Sequence, residues 1–200
     1  MRGLEEIPWL YDLGLWFLEH GGLGRWRGWL VAGARGRTLD VGTGTGRNLP
    51  LYPAGVRAIA VDPHPQNLAR ARRRAPRVPL VRARAEALPF RDGAFDTVVS
   101  GLVFCSVDDP ARGFAEVRRV LAPGGALRML EHVRSGSRLV ARWQDLVQPA
   151  WTRISGGCRP NRQTERLAAE SGFRIDPATR RAEGSMRRFE ARLGPPRGRE

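Results

Sequence analysis

The sequence predicts an α/β protein with a central, mostly parallel seven-stranded sheet and helices on both faces. Three observations lead there. Short apolar runs rich in β-branched residues alternate with helical stretches through residues 37–133, as in βαβ units. A glycine-spaced turn, DVGTGTGRN at 40–48, joins the first run to a helical start. The runs close on an acid or a glycine, as at Asp62 and Gly101. In such a sheet the ligand lies outside the carboxyl ends of the strands, where the strand order reverses.

Taken in order, residues 8–33 are aromatic and apolar at helical spacing, interrupted at Gly21-Gly22. Residues 37–42 read as a buried strand ending at the glycine turn, and 48–52 as a short helical start stopped by Pro53. Strands are expected at 56–61, 78–83 and 95–100, with a helix from Gln66 to Arg74 between the first two. Residues 109–121 alternate as a helix, and APGG at 122–125 stops and turns it. A strand follows at 126–133, helices at 138–148 and 161–171, and closing strands at 173–176 and 186–193. One domain over 1–193 is expected: a helical lid at 1–34, a ligand-binding core at 35–133, and an acceptor-side segment with the closing strands at 134–193. The tail 194–200, GPPRGRE from Gly194, reads as disordered.

The 200 residues suit one core. The net charge of +14 suggests an acidic partner. All 34 basic residues are arginine, however, which reads as GC-rich codon usage rather than selection for phosphate contacts. Nucleic acid is therefore not the expected partner. Cys105 and Cys158 make no disulfide framework. The N-terminus MRGLEEIPW lacks the pattern of a signal peptide, and no window approaches the ~20 apolar residues of a membrane span. A cytoplasmic protein is expected.

The glycine turn excludes two familiar phosphate loops. The dinucleotide pattern GxGxxG places Arg47 or Leu49 where its last glycine belongs, and a Walker loop needs a lysine. What remains is DxGxGxG. Gly42, Gly44 and Gly46 allow positive φ and close approach to bare backbone, and the helix start offers N–H groups to an anion. Asp40 repels a pyrophosphate and attracts an ammonium. A ligand carrying an amine beside a carboxylate suits that pairing, as the amino-acid end of S-adenosylmethionine does. Asp62, 18 residues after Gly44, ends the next strand, where a carboxylate accepts ribose hydroxyls.

In order, LDVGTGTGRN, AVDPHPQNL, RAEALPFRDGAFDTVVS, EVRRVLAPGG and LRMLEHV resemble the class I methyltransferases that use S-adenosylmethionine, specifically the methyltransferase type 11 family. The resemblance covers roughly residues 35–133. It implies a Rossmann-like class I methyltransferase fold and S-adenosyl-L-methionine as cofactor. It implies cofactor contacts from Asp40, Gly42, Thr43, Gly44, Gly46, Asn48, Asp62 and Pro63. It puts Ala85 and Glu86 along the adenine edge and Ser100 and Gly101 against the methionine part. Tyr11, in LYDL, matches an aromatic that closes over the cofactor. The family more often has an Asp shortly before Ala85; here Arg82 and Arg84 flank the site.

The segment after LEHV resembles small bacterial relatives of thiol methyltransferases and bacterial phospholipid- and quinone-methylating enzymes. The expected activity is methyl transfer to a small-molecule or lipid-like acceptor by in-line displacement. The alternative is a cofactor-binding regulatory or RNA-associated protein of the same fold. His132, after the fifth strand, is the candidate catalytic base. Cys105 and Cys158 fall in loops on the acceptor side, and two Cys with three scattered His predict no zinc site. Trp9, Trp16, Trp26, Trp29, Trp143 and Trp151 suit aromatic walls of an acceptor pocket or peripheral contact with a membrane.

Overall fold

The computed structural model describes residues 22–155 and 157–194. Most of the expected lid, with Trp9, Tyr11, Trp16 and His20, lies outside them, as do residues 195–200 of the expected disordered tail.

Eight strands form one sheet: β1 Arg37–Val41, β2 Arg57–Asp62, β3 Leu80–Arg82, β4 Phe95–Gly101, β5 Leu121–His132, β6 Phe173–Ile175, β7 Arg181–Glu183 and β8 Met186–Leu193. The order is β3-β2-β1-β4-β5-β8-β6, with β7 paired to β8 off that path. β1 through β5 pair in parallel, and β8 runs antiparallel to β5 and β6. The seven strands on the path follow the order along the chain expected from the sequence, but β5 begins at Leu121 and takes in the APGG expected as a turn before a strand at 126. β7 was not expected: its three residues are all exposed, so no apolar pattern marks it.

The helices are α1 Gly24–Ala32, α2 Pro65–Arg74, α3 Pro110–Val120, α4 Arg138–Ile154 and α5 Thr164–Glu170, plus a 3-10 turn at Leu49–Leu51. The helix expected at 138–148 runs on to Ile154 through Pro149, which costs one backbone bond without ending it. The helix expected from 161 begins at Thr164, after a turn closed by Arg162 N–H to Arg159 O.

β1 is buried on nearly every residue, as a central strand covered on both faces must be. One core layer joins Leu39, Val98, Leu127 and Met129 to Phe104, Phe114 and Phe189. Phe104 stacks on Phe114 with centroids 4.2 Å apart. On the other face Leu30 of α1 packs with Val99 and Leu130. Arg128 of β5 secures α1. Its guanidinium donates to Leu30 O and Trp29 O, pairs with Glu190 at 2.5 Å, and lies 4.2 Å from the Trp29 ring. Any side chain at Gly33 would overlap that guanidinium. The chain runs β1, β2, β3 toward one edge and β4, β5 toward the other, so the reversal crevice opens at the carboxyl ends of β1 and β4.

Candidate functional site

The turn after β1 carries three glycines at positive φ, and their surroundings differ. A Cβ at Gly42 would lie 2.5 Å from the Val103 side chain, in the loop after β4. A Cβ at Gly46 would lie 2.9 Å from the Ala71 backbone of α2. These two glycines let neighbouring elements close in. At Gly44 nothing lies within 4 Å, so this glycine faces open space. It is the one whose bareness serves a ligand.

Asp62 positions Gly44. Its Oδ2 accepts Gly44 N–H at 2.9 Å, and its Oδ1 accepts His64 N–H at 2.9 Å and Asn67 Nδ2 at 3.1 Å. A carboxylate accepts about four hydrogen bonds, so Asp62, with three donors, retains capacity for one more. Pro63, beside it, presents its carbonyl to Arg82 Nε at 3.2 Å.

Asp40 sits fully buried at the end of β1. Its Oδ2 accepts from Tyr52 Oη at 2.8 Å and Asn48 Nδ2 at 3.1 Å. Asn48 Oδ1 in turn accepts from Arg27 Nη1 at 2.6 Å. Among the described residues, Asp40 Oδ1 has no partner, and neither does the buried hydroxyl of Thr43. Burial pushes the Asp40 carboxyl up to about 6, against the Tyr52 and Asn48 bonds and the Arg27 charge that favour its ionised form. An orphaned buried acceptor beside an open backbone turn needs a donor from elsewhere. The amino-acid end of S-adenosylmethionine supplies one in its ammonium, so the residues present fit that group.

The adenine-edge residues behave differently. Ala85 is buried in the main core. The Glu86 carboxylate accepts Asp108 N–H at 3.1 Å, tying its loop to the start of α3, and Arg84 pairs with Asp108. The side chain expected along the adenine edge is thus engaged with the 108–109 loop. Ser100 Oγ donates to Glu131 Oε1 at 3.3 Å, and Gly101 lies against Leu30.

Glu131 organises the acceptor side. It is fully buried, and its carboxylate accepts backbone N–H groups of Val103, Phe104 and Cys105 at 3.1–3.2 Å. Burial pushes it up to about 7, opposed by those three bonds. The segment 157–162 docks on the loop so held: Arg159 N–H donates to Cys105 O at 2.9 Å, and Arg162 Nη1 donates to Phe104 O and Val107 O. His132, one residue after Glu131, has its Nδ1 3.9 Å from Cys158 Sγ.

The methyltransferase domain model matches residues 39–129, from β1 through β5. The human thiol S-methyltransferase TMT1B is 37% identical over 144 residues, 67% of this chain and 59% of that protein. The human thiol S-methyltransferase TMT1A is 36% identical over 143 residues, 68% of this chain and 59% of that protein. The chain thus spans about six-tenths of the length of these relatives. A SAM-dependent methyltransferase structure from Thermotoga maritima superposes with a TM-score of 0.71 at 23% identity, covering 94% of this chain and 97% of that one. The chain belongs to the class I methyltransferases.

Of the expected site residues, the topology puts Asp40, Gly42, Thr43, Gly44, Gly46, Asn48, Asp62, Pro63, Ser100 and Gly101 at or just after the carboxyl ends of β1, β2 and β4, and His132 ends β5 two strands from β1. Tyr11 lies outside the described residues. Sequence reasoning missed Arg27, Tyr52 and Glu131. Tyr52 and Asn48 carried a signal: both fall in the short helical start just after the glycine turn, one turn apart.

Proposed function

We propose that this chain methylates a small-molecule acceptor with S-adenosyl-L-methionine, and that the acceptor is a thiol or a lipid-like molecule. When bound, the cofactor supplies a methyl group activated on sulfonium and a neutral thioether leaving group. Asp40 and the Thr43 hydroxyl hold the amino-acid end, with the Gly44 backbone against it. Asp62 accepts ribose hydroxyls with its spare capacity. Ser100 and Gly101 border the methionine part. Orientation of the acceptor in line with the methyl contributes up to ~7–11 kcal/mol in well-oriented cases. His132 takes the proton of an acceptor that arrives protonated.

The single observation that carries the cofactor half is the orphaned Asp40 Oδ1 at the end of β1, in the strand that leads into the turn of open Gly44. The acceptor half rests on the similarity to two thiol S-methyltransferases, which also disfavours the regulatory or RNA-associated alternative. The test is methyl transfer from labelled S-adenosylmethionine to a small alkyl thiol, a quinol and RNA, alongside melting with the cofactor and with NADH. Stabilisation by the cofactor alone and labelling of the thiol or the quinol are expected. Labelling of RNA alone, or equal stabilisation by NADH, overturns the reading.

A second reading concerns how a lipid-like acceptor is met. α4 exposes Leu139, Trp143 and Leu146 along one stripe, with exposed Arg138, Arg142 and Arg153 on its flank. No helix among the described residues is long and apolar enough to cross a membrane. We propose that this stripe rests on an anionic lipid surface, where Trp and Leu enter the interface and Arg meets the headgroups. Co-sedimentation with phosphatidylglycerol vesicles but not phosphatidylcholine vesicles, lost in Trp143→Glu, is expected; equal sedimentation of the variant overturns it.

A further inference from the structure

Two cysteines far apart in sequence meet at the acceptor side. Cys105 follows β4 and is buried; Cys158 is partly exposed; both are free thiols. The bond from Arg159 N–H to Cys105 O, 2.9 Å long, sets the two backbones side by side. A disulfide requires that kind of proximity, about 4.4–6.8 Å between Cα atoms. The segment is further fixed by Thr152 Oγ1 donating to Cys158 O at 3.1 Å and by Arg162 on the carbonyls flanking Cys105.

We propose that Cys158 and Cys105 form a hydroperoxide-reactive dithiol, in which Cys158 is oxidised first and Cys105 resolves it to a disulfide. This rests on the pair's own geometry and not on the methyl-transfer reading.

The two thiols have unequal surroundings. The Cys105 thiol first, and then His132 with its Nδ1 at 3.9 Å, hold Cys158 well below the usual thiol range against the pull of burial. Cys105 is pushed up by the same Cys158 contact, by burial and by the Glu131 carboxylate. An accessible thiolate beside a buried thiol is the arrangement of an attacking and a resolving cysteine.

The chemistry balances. The Cys158 sulfur attacks one oxygen of the hydroperoxide; an S–O bond forms and the O–O bond breaks. The departing oxygen leaves as water or alcohol, carrying the thiol proton. The Cys105 sulfur then attacks Cys158; the S–S bond forms and the S–O bond breaks. The Cys105 proton leaves with that oxygen as water. Two thiols are oxidised and one hydroperoxide is reduced. The product links the loop after β4 covalently to the segment before α5.

The test is hydrogen peroxide added to the full chain without cofactor, followed by intact mass and peptide mapping. The expected result is loss of two hydrogens, a linked peptide containing Cys105 and Cys158, and reversal by dithiothreitol. Cys105→Ser is expected to gain oxygen at Cys158, and Cys158→Ser to leave Cys105 unreacted. His132→Asn is expected to slow alkylation of Cys158 by iodoacetamide at neutral pH by several-fold. Oxygen gain on the wild-type chain without a linked peptide, or equal reactivity of the two cysteines, overturns the proposal. Because no methyl donor is present, an absence of methyl transfer leaves this result unaffected.

Discussion

Asp40 and Glu131 are two fully buried carboxylates at the carboxyl end of one sheet, and they serve opposite ends. Burial raises both, to about 6 and about 7. Glu131 has both oxygens filled by three backbone N–H groups and the Ser100 hydroxyl. Asp40 has one oxygen filled twice and one left without a partner. A buried carboxylate whose capacity is spent inside the protein is a post for a loop. One with unspent capacity on the strand that enters an open glycine turn is a socket.

The sharpest way to break this contrast is Glu131→Ala. It orphans three backbone N–H groups in the 103–105 loop, and an unfilled buried donor costs about 1–3 kcal/mol. A loss of roughly 3–5 kcal/mol in denaturant unfolding is expected. A loss under about 1 kcal/mol would mean the loop holds itself, and Glu131 would then be free for another role.

The glycine turn repeats the contrast within seven residues. Gly46→Ala pushes a Cβ to 2.9 Å from the Ala71 backbone at φ +80°. Left-handed strain of about 1–2 kcal/mol and overpacking of about 1–3 kcal/mol add to roughly 2–5 kcal/mol lost. Gly44→Ala meets open space at φ +55° and is expected to lose about 1–2 kcal/mol. Its larger effect is on cofactor affinity, read by calorimetry. Equal stability losses at the two positions would sink the division between packing and ligand glycines.

These residues also show what the sequence disclosed. The turn, Asp40 and Asp62 are legible because their spacing along a strand–turn–helix unit fixes where they point. The central parallel strands are legible because strands buried on both faces are largely apolar runs, and β8 because its buried positions alternate along the strand. Glu131 was not legible, because its partners lie 26–28 residues earlier and its neighbours are an ordinary strand. Arg27 reaches Asn48 from 21 residues away. Arg128 looks like a surface arginine until the carbonyls of α1 arrive above it. Such pairings depend on the closed fold, and composition near them carries no trace.

Asp40→Asn sharpens the comparison from the socket side. The amide oxygen keeps the Tyr52 and Asn48 bonds, so folding is expected to hold, while the ionic partner of the cofactor's ammonium is gone. Hydrogen bonds to charged groups contribute about 1.5–3 kcal/mol, so affinity is expected to fall about 10–150-fold while the free protein keeps a cooperative unfolding transition. Unchanged affinity would leave the orphaned oxygen without a purpose.

The smallest expected effect follows from the same group's ionisation. The folded carboxyl sits near 6 against an ordinary 3.8. The folded protein therefore holds the proton more tightly than the unfolded chain. In the absence of ligand, Asp40 lowers stability as pH rises from about 4 to about 6. Binding reverses the preference, because the ammonium favours the ionised form over the burial that opposes it. Affinity is then expected to be highest near pH 7, to weaken below 6 as Asp40 takes up a proton, and to weaken again above about 8 as the ammonium loses one. With the free-state value near 6, the ionised fraction falls about fourfold between pH 7 and pH 5.5, and affinity falls with it. Arg27 and Asp62 also act on Asp40, so the comparison is with Asp40→Asn measured across the same range. That variant's binding is expected to be weak and level. A fourfold fall that persists in the variant would assign the titration to another group and remove Asp40 from the socket.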